Sequence, residues 1–237
     1  MERVDFNLLI YLDGGHGGKD GGAAGNGIKE KDIVLDITRR IKEGLQEYEN
    51  TQILMSRETD VFLSLDERTR KANAANADVF VSVHVNAAAS TAARGFESYV
   101  YPNAGAATVA FQNVMHGEIV KAISGFAGFD DRGKKQANFA VLRQSKMKAI
   151  LTENLFISNP ADAALLKRED FLQATAQGHI NGLEKYLGLK RLERPPKPSI
   201  PDKLWRIQVG AFEDKQNAEA MAADLTKLGY RPFIKYE

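Results

Sequence analysis

Cysteine is absent from the 237-residue chain, which excludes disulfides, thiolate metal sites and a cysteine nucleophile. No apolar run approaches the roughly 20 residues of a bilayer-crossing helix, so no membrane span is expected. The opening Met1-Glu2-Arg3-Val4-Asp5 has neither an apolar core nor a small-residue cleavage site, and no signal peptide is expected. An excess of one charge is also missing: 32 Lys and Arg face 31 Asp and Glu, a formal net charge of +1. Such a balance gives no general argument for nucleic acid or an anionic membrane as partner. Proline is scarce, yet four of the seven fall within Arg194–Pro201, which reads as an extended linker.

What remains is long enough for one medium domain and something small. Phe6–Leu12 reads as a buried strand, and the glycine-dense stretch 14–27 as a loop. Asp32 is expected to cap a helix on which Ile33, Ile37, Ile41 and Leu45 recur at helical spacing. Further strands are expected at Thr51–Ser56, Asp78–Val85, Phe139–Leu142 and Ala149–Glu153, with an edge strand at Gly95–Tyr101. Helices are expected at Leu65–Ala77, 106–124, 161–167 and 170–187. This alternation predicts an α/β fold with a largely parallel sheet flanked by helices. The division is domain 1–188, linker 189–203 and a small β-α-β unit at 204–237, with strands at Leu204–Val209 and Pro232–Tyr236 around a helix at 215–228.

Chemistry-bearing residues fall at strand ends. His16 follows the first strand, His84 ends Val79-Phe80-Val81-Ser82-Val83-His84, and Glu153 ends Leu151-Thr152-Glu153. In an open α/β sheet, parallel strands present their carboxyl ends at one crevice, so these three are expected to meet there. Glu30 approaches from the loop leaving the first strand. Two imidazoles and a carboxylate can hold a catalytic zinc with one position open. Each residue also has an ordinary reading. A histidine in a glycine loop or at a strand end serves local hydrogen bonding, and Glu30 suits a helix N-terminus. Glu153, after an apolar run, is costly to bury without a partner. His116 and His179 lie in helices and are read as surface or packing residues.

The wording around these residues is distinctive. Leu12-Asp13-Gly14-Gly15-His16-Gly17-Gly18-Lys19-Asp20-Gly21-Gly22-Ala23 is followed by Gly27-Ile28-Lys29-Glu30-Lys31-Asp32, Ser56-Arg57 and Leu65-Asp66-Glu67-Arg68. Then come Ser82-Val83-His84-Val85-Asn86, Asp131-Arg132-Gly133-Lys134-Lys135 and Leu151-Thr152-Glu153-Asn154-Leu155-Phe156-Ile157-Ser158-Asn159. In this order, over about residues 5–188, they resemble the zinc-dependent N-acetylmuramoyl-L-alanine amidases of the Amidase_3 type, as in Bacillus-type autolysins and phage endolysins. The resemblance implies zinc ligands at His16, Glu30 and His84 and a catalytic glutamate at Glu153. It implies a peptidoglycan substrate, comprising glycan strand and stem peptide, whose amide between muramic acid and L-alanine is cut. Asn86 and the Asp131-Arg132 pair are candidates for the rim, with a turn and a structural salt bridge as the other reading. The chain departs from the family at Gly14, where proline is usual and whose loss is expected to loosen the turn. It also departs at Val85, where alanine is commoner, and in Glu153-Asn154-Leu155-Phe156, which replaces a Glu-x-Gly-Phe form.

Trp205-Arg206-Ile207-Gln208-Val209-Gly210-Ala211-Phe212 and Asn217-Ala218-Glu219-Ala220 resemble the first half of a SPOR repeat, a peptidoglycan-binding module. At least one of Trp205 and Phe212 is expected in its core. Two other readings of the whole chain are a metallopeptidase acting within the stem peptide and a wall-binding module without catalysis. A glycine-loop nucleotide binder is disfavoured, because Lys19 precedes Asp20 rather than Ser or Thr and two carboxylates would repel phosphate. Without a signal peptide, action at the cell wall is expected to follow release by mother-cell lysis or a phage holin.

Overall fold

Val79–Asn86, strand β5, is buried along nearly its whole length because it lies inside a sheet covered on both faces. In this computed structural model, residues 8–192, 208–230 and 232–235 are described. The chain divides into two compact units, Met1–Leu192 and Glu193–Glu237.

The first unit contains β1 (Leu8–Gly14), a short hairpin of β2 (Ala24–Gly25) and β3 (Ile28–Lys29), α1 (Glu30–Leu45), β4 (Thr51–Met55), α2 (Leu65–Ala74) and then β5. After these come β6 (Phe96–Val100), α3 (Ala106–Ile123), β7 (Asp131–Gln136), α4 (Ala140–Arg143), β8 (Lys148–Phe156), α5 (Pro160–Leu166) and α6 (Glu169–Leu187). The main sheet has the order β4-β1-β5-β8-β6-β7. Its first four strands are parallel, β6 runs antiparallel to β8, and β7 runs parallel to β6. The expected α/β architecture is therefore present, largely parallel and flanked by helices.

Alternation of side chains sorts the two faces. Val79, Val81, Val83, Val85, Ile150 and Phe96 pack against α1, α3 and α6, in one core with Ile37, Ile41, Phe111, Met115, Phe171 and Leu183. Each such burial contributes about 1.5–3 kcal/mol of transfer free energy. On the other face Tyr11, Phe80, Ala149 and Leu151 pack against Ala72 of α2 and Val141 and Leu142 of α4. The helices on this second face are short, with 10 and 4 residues against 16 to 19 in α1, α3 and α6. Polar strand ends on that side, including His84, Asn86 and Glu153, stay partly open.

Several expectations need correction. Phe139–Leu142 is not a strand: Phe139 caps α4, whose Val141 and Leu142 reach the core, and a four-residue apolar run does not distinguish the two conformations. Phe96–Val100 is not at the edge, because the charged segment Asp131–Gln136 forms β7 outside it. Asp32 lies within the first turn of α1, and Lys29 is the cap residue, so Glu30 begins the helix. Helix α2 starts where its sequence provides a capping box, Ser64 with Glu67.

Residues 189–192 return to the turn after α1, where Glu49 N donates to Lys190 O and Leu192 N to Glu47 O. In the second unit, α7 (Lys215–Lys227) is capped by Asp214, which accepts from Gln216 N at 2.7 Å. Of the strand expected at Leu204–Val209, residues 204–207 lie outside the described residues and 208–209 are not in a strand. Residues 232–235 also form no strand, and Tyr236 lies outside the described residues. Phe212 is exposed rather than in a core, and Trp205 is outside the described residues.

Candidate metal centre

His16 stands on backbone that arginines hold in place. Its φ of 59° is in the left-handed region, which a non-glycine residue occupies only under constraint. Arg57 donates from Nε to Gly14 O at 2.9 Å and from Nη2 to Gly15 O at 2.8 Å and Lys31 O at 2.7 Å. Arg68 donates from Nη1 to Gly14 O at 2.9 Å and from Nη2 to His16 O at 2.6 Å. Its charge is met by the buried Asp13, 2.7 Å away, which also accepts from Ser82 Oγ at 2.8 Å. Burial pushes the Asp13 carboxyl up, but Arg68 and the hydrogen bonds outweigh it and hold the pKa below its ordinary value. The turn at Gly14, expected to be loose without proline, is pinned by two guanidinium groups.

The side chains then converge. His16 Nδ1 lies 2.9 Å from Asp20 Oδ2, leaving Nε2 to face Glu30 Oε2 at 3.2 Å. The first residue of α1 thus turns its carboxylate inward. Glu30 Oε2 also accepts from Ala23 N at 2.8 Å, while Oε1 accepts from Val85 N at 3.0 Å and meets His84 Nδ1 at 2.9 Å. The two imidazoles stand nearly perpendicular with centroids 5.1 Å apart. Gly15 is required here, since a Cβ would fall 2.2 Å from His84 Cε1. One ligand atom from each of His16, Glu30 and His84 lies within 4.8 Å of the others, so the trio could hold a metal ion. The donor types suit zinc, and the Asp20–His16 pair has the outer carboxylate that orients metal-bound imidazoles. Hydrogen bonding to Glu30 raises His16 to about 9 against the opposing effect of burial. Burial would raise Glu30, but the two histidines hold it well below the usual carboxylate range.

Glu153 lies abreast of His84 on β8 and opposite Glu97 on β6. Burial pushes its pKa up to about 7, with the charges of Glu30 and Glu97 adding to the effect and His84 opposing it. Its Oε2 is buried without a hydrogen-bond partner. A carboxyl with its pKa raised toward neutrality and an oxygen without a partner is equipped for general acid–base chemistry. Beyond Glu153, β8 carries an extra residue: His84 pairs with Glu153 but Asn86 with Phe156. The bulge includes buried Leu155 at φ 71°, the position where the family form has glycine. Bulges re-aim side chains next to functional sites.

Sequence reasoning missed Glu97. It is 2% exposed, accepts from Arg132 Nε at 2.6 Å and Tyr99 OH at 2.5 Å, and is ion-paired with Lys135. The available signal was a lone acid between Phe96 and Tyr99 in an otherwise uncharged strand. Of the rim candidates, Asn86 reaches Glu97 at 3.4 Å and Arg132 binds it, whereas Asp131 turns to His116 Nε2 at 2.9 Å. His116 and His179 are packing residues, both buried.

Comparison with known proteins fits this geometry. The N-acetylmuramoyl-L-alanine amidase family model, Amidase_3, matches residues 10–185. The chain belongs to that family. A SPOR domain model matches residues 201–237. The sporulation-specific N-acetylmuramoyl-L-alanine amidase of Bacillus subtilis is 44% identical over 228 residues, covering 96% of this chain and 84% of the relative. The endolysin of Bacillus phage SPP1 is 48% identical over 200 residues, covering 84% and 73%. Among solved structures, the catalytic domain of the amidase CwlV from Paenibacillus polymyxa aligns with a TM-score of 0.72 at 36% identity, over 77% of this chain and 99% of that one. An amidase from Clostridium difficile 630 aligns at 0.74 and 31% identity, over 77% and 98%.

Proposed function

We propose that this member of the amidase family is a zinc-dependent peptidoglycan hydrolase that cuts the amide between N-acetylmuramic acid and L-alanine. His16, Glu30 and His84 hold the metal, and Glu153 is the catalytic acid and base. The carrying observation is the convergence of three ligand-type side chains beside Glu153, which lies abreast of His84 with a buried Oε2 that has no hydrogen-bond partner. Bound zinc supplies Lewis acidity, polarising the amide carbonyl and making water a better nucleophile at neutral pH. Glu153 takes a proton from the attacking water and returns it to the departing L-alanine nitrogen. Asp20 orients His16, and Arg57 and Arg68 hold the loop that carries it. The first unit, which extends past the expected boundary at 188 to Leu192, performs the chemistry, the proline-rich segment that follows is a linker, and the SPOR unit from 204 engages the wall. No helix among the described residues is long and apolar enough to cross a membrane.

Muropeptide digestion with and without a chelator, with products weighed by mass spectrometry, tests the reading. Free stem peptides bearing an L-alanine amine, lost on chelation and regained with zinc, are expected. Cleavage within the stem peptide would replace the amidase reading by a metallopeptidase, and an inert zinc-loaded protein would leave a wall-binding module.

A further inference from the structure

The polar row on the open face does not stop at Glu153. His84, Glu153 and Glu97 stand abreast on β5, β8 and β6, and Arg132 and Lys135 extend the row onto β7. These two are three positions apart, and in a regular strand they would point to opposite faces. A second bulge removes that conflict: Phe96 pairs with Asp131 but Ser98 with Lys134, so β7 has one residue extra. Gly133, at φ 82°, takes the turn that this insertion requires. Both cations therefore reach Glu97, while Asp131 and Lys134 turn to the covered face, towards His116 and Asn113 of α3.

Glu97 neutralises one of the two cations and the second is in surplus. Arg132 spends only Nε on Glu97, and among the described residues no hydrogen bond engages its Nη1 or Nη2. Its guanidinium lies 5.0 Å from the centroid of the Phe156 ring, and the side chain is 37% exposed. One end of a planar fork is thus aimed and supported, and the other is left open. That is the geometry that captures a carboxylate with two parallel bonds.

We propose that Arg132, aimed by Glu97 and backed by Phe156, binds a carboxylate of the stem peptide on the amine side of the scissile bond. This rests on the amidase reading and on Glu153 protonating the leaving nitrogen. With the ligand trio at one side of Glu153, the released peptide runs to the other, across β6 towards β7. Neighbouring strands are about 4.8 Å apart, which places β7 about 10 Å from β8. A chain spans about 3.3–3.6 Å per residue, so the residue after L-alanine brings its carboxyl within reach of a long arginine. The ligand is an acidic peptide, and amidation of that carboxyl removes the charge that Arg132 reads. Glu97 is a positioning residue.

The zinc-loaded full chain is assayed on N-acetylmuramoyl-L-alanyl-D-glutamate and on its α-amide, N-acetylmuramoyl-L-alanyl-D-isoglutamine, each with the γ-carboxyl capped as a methylamide so that the amide substrate has no carboxylate beyond L-alanine. A charge-assisted pair lost to the amide predicts a kcat/KM at least about tenfold higher for the acid. Arg132→Gln brings this ratio to about one, Arg132→Lys retains part of it, and Glu97→Gln lowers it while leaving the cation in place. Calorimetry of the two dipeptides, L-alanyl-D-glutamate and L-alanyl-D-isoglutamine, both capped as γ-methylamides, gives the same ranking without turnover. Equal kcat/KM for both substrates in the parent protein, or an Arg132→Gln variant that slows both alike, overturns the subsite and leaves the amidase standing. Failure to hydrolyse either substrate, with Arg132-dependent binding of the acidic dipeptide, overturns the amidase and leaves the subsite.

Discussion

The two faces of the sheet treat histidine in opposite ways. On the covered face His179 is sealed between Thr152 and Thr175: Nδ1 donates to Thr175 O at 2.8 Å and Nε2 accepts from Thr152 Oγ1 at 3.0 Å. With only neutral partners, burial pulls its pKa down to about 4. His116, on the same side, is lowered too, chiefly by burial, although Asp131 partly opposes it. On the open face burial also works against charge on His84, but Glu30 and Glu153 reverse the outcome and its pKa rises. Burial opposes charge on all three rings; the neighbours decide whether the ring is a packing element or a ligand. The covered face consumes its polar groups internally, whereas the open face leaves them something to bind.

That contrast can be broken most severely at Glu153. Glu153→Ala is expected to lower amide cleavage by about 10²–10⁴-fold while zinc stays bound, checked by turnover together with metal content. Full activity in this variant would sink the acid–base role. Next comes Arg68→Ala, which strands the buried Asp13 charge and should destabilise the fold by about 3–5 kcal/mol, read from denaturant unfolding. It should also loosen the His16 backbone and so weaken zinc retention.

The covered face has its own signature in acid. His179 is depressed in the folded state, so its contribution is complete above the unfolded value near 6.5 and is lost as pH falls towards about 4. The loss amounts to about 3 kcal/mol. Unfolding midpoints measured across this window should fall for the parent protein and fall less for His179→Gln. The smallest effect concerns Leu155. Both Leu155→Ala and Leu155→Gly lose a buried side chain, but only glycine is at ease at φ 71°. The alanine variant should be less stable than the glycine variant by about 1 kcal/mol, measured by equilibrium denaturation.

Sequence reached the covered face more easily than the rim of the open one. Val79, Val81, Val83 and Val85 recur at every second position, and Ile37, Ile41 and Leu45 recur at helical spacing, because these side chains share one core. Segment Asp131–Gln136 has no such period. It is a solvent-facing edge strand, held by pairing with β6 and by Gln112 Nε2 donating to Lys135 O at 3.1 Å. Without β7 outside it, β6 reads as the edge and Glu97 has no partner in the sequence to reveal it. His16, Glu30, His84 and Glu153 were each noticeable from position and wording. Arg57 and Arg68 were visible only as parts of motifs, since binding to backbone carbonyls leaves no complementary residue in the sequence.

The two bulges have a consequence for how such an enzyme can change. Strict alternation couples the faces of a strand, so sliding it to move a rim residue would drag the core with it. An inserted residue uncouples the positions before it from those after it. In β8 and β7 the insertions follow Glu153 and Arg132, leaving Ile150 and Thr152, and Asp131 against His116, in their places. The rim is thereby a separately adjustable part: substrate preference can drift through the residues around Phe156 and Lys135 while the hydrophobic scaffold is inherited unchanged.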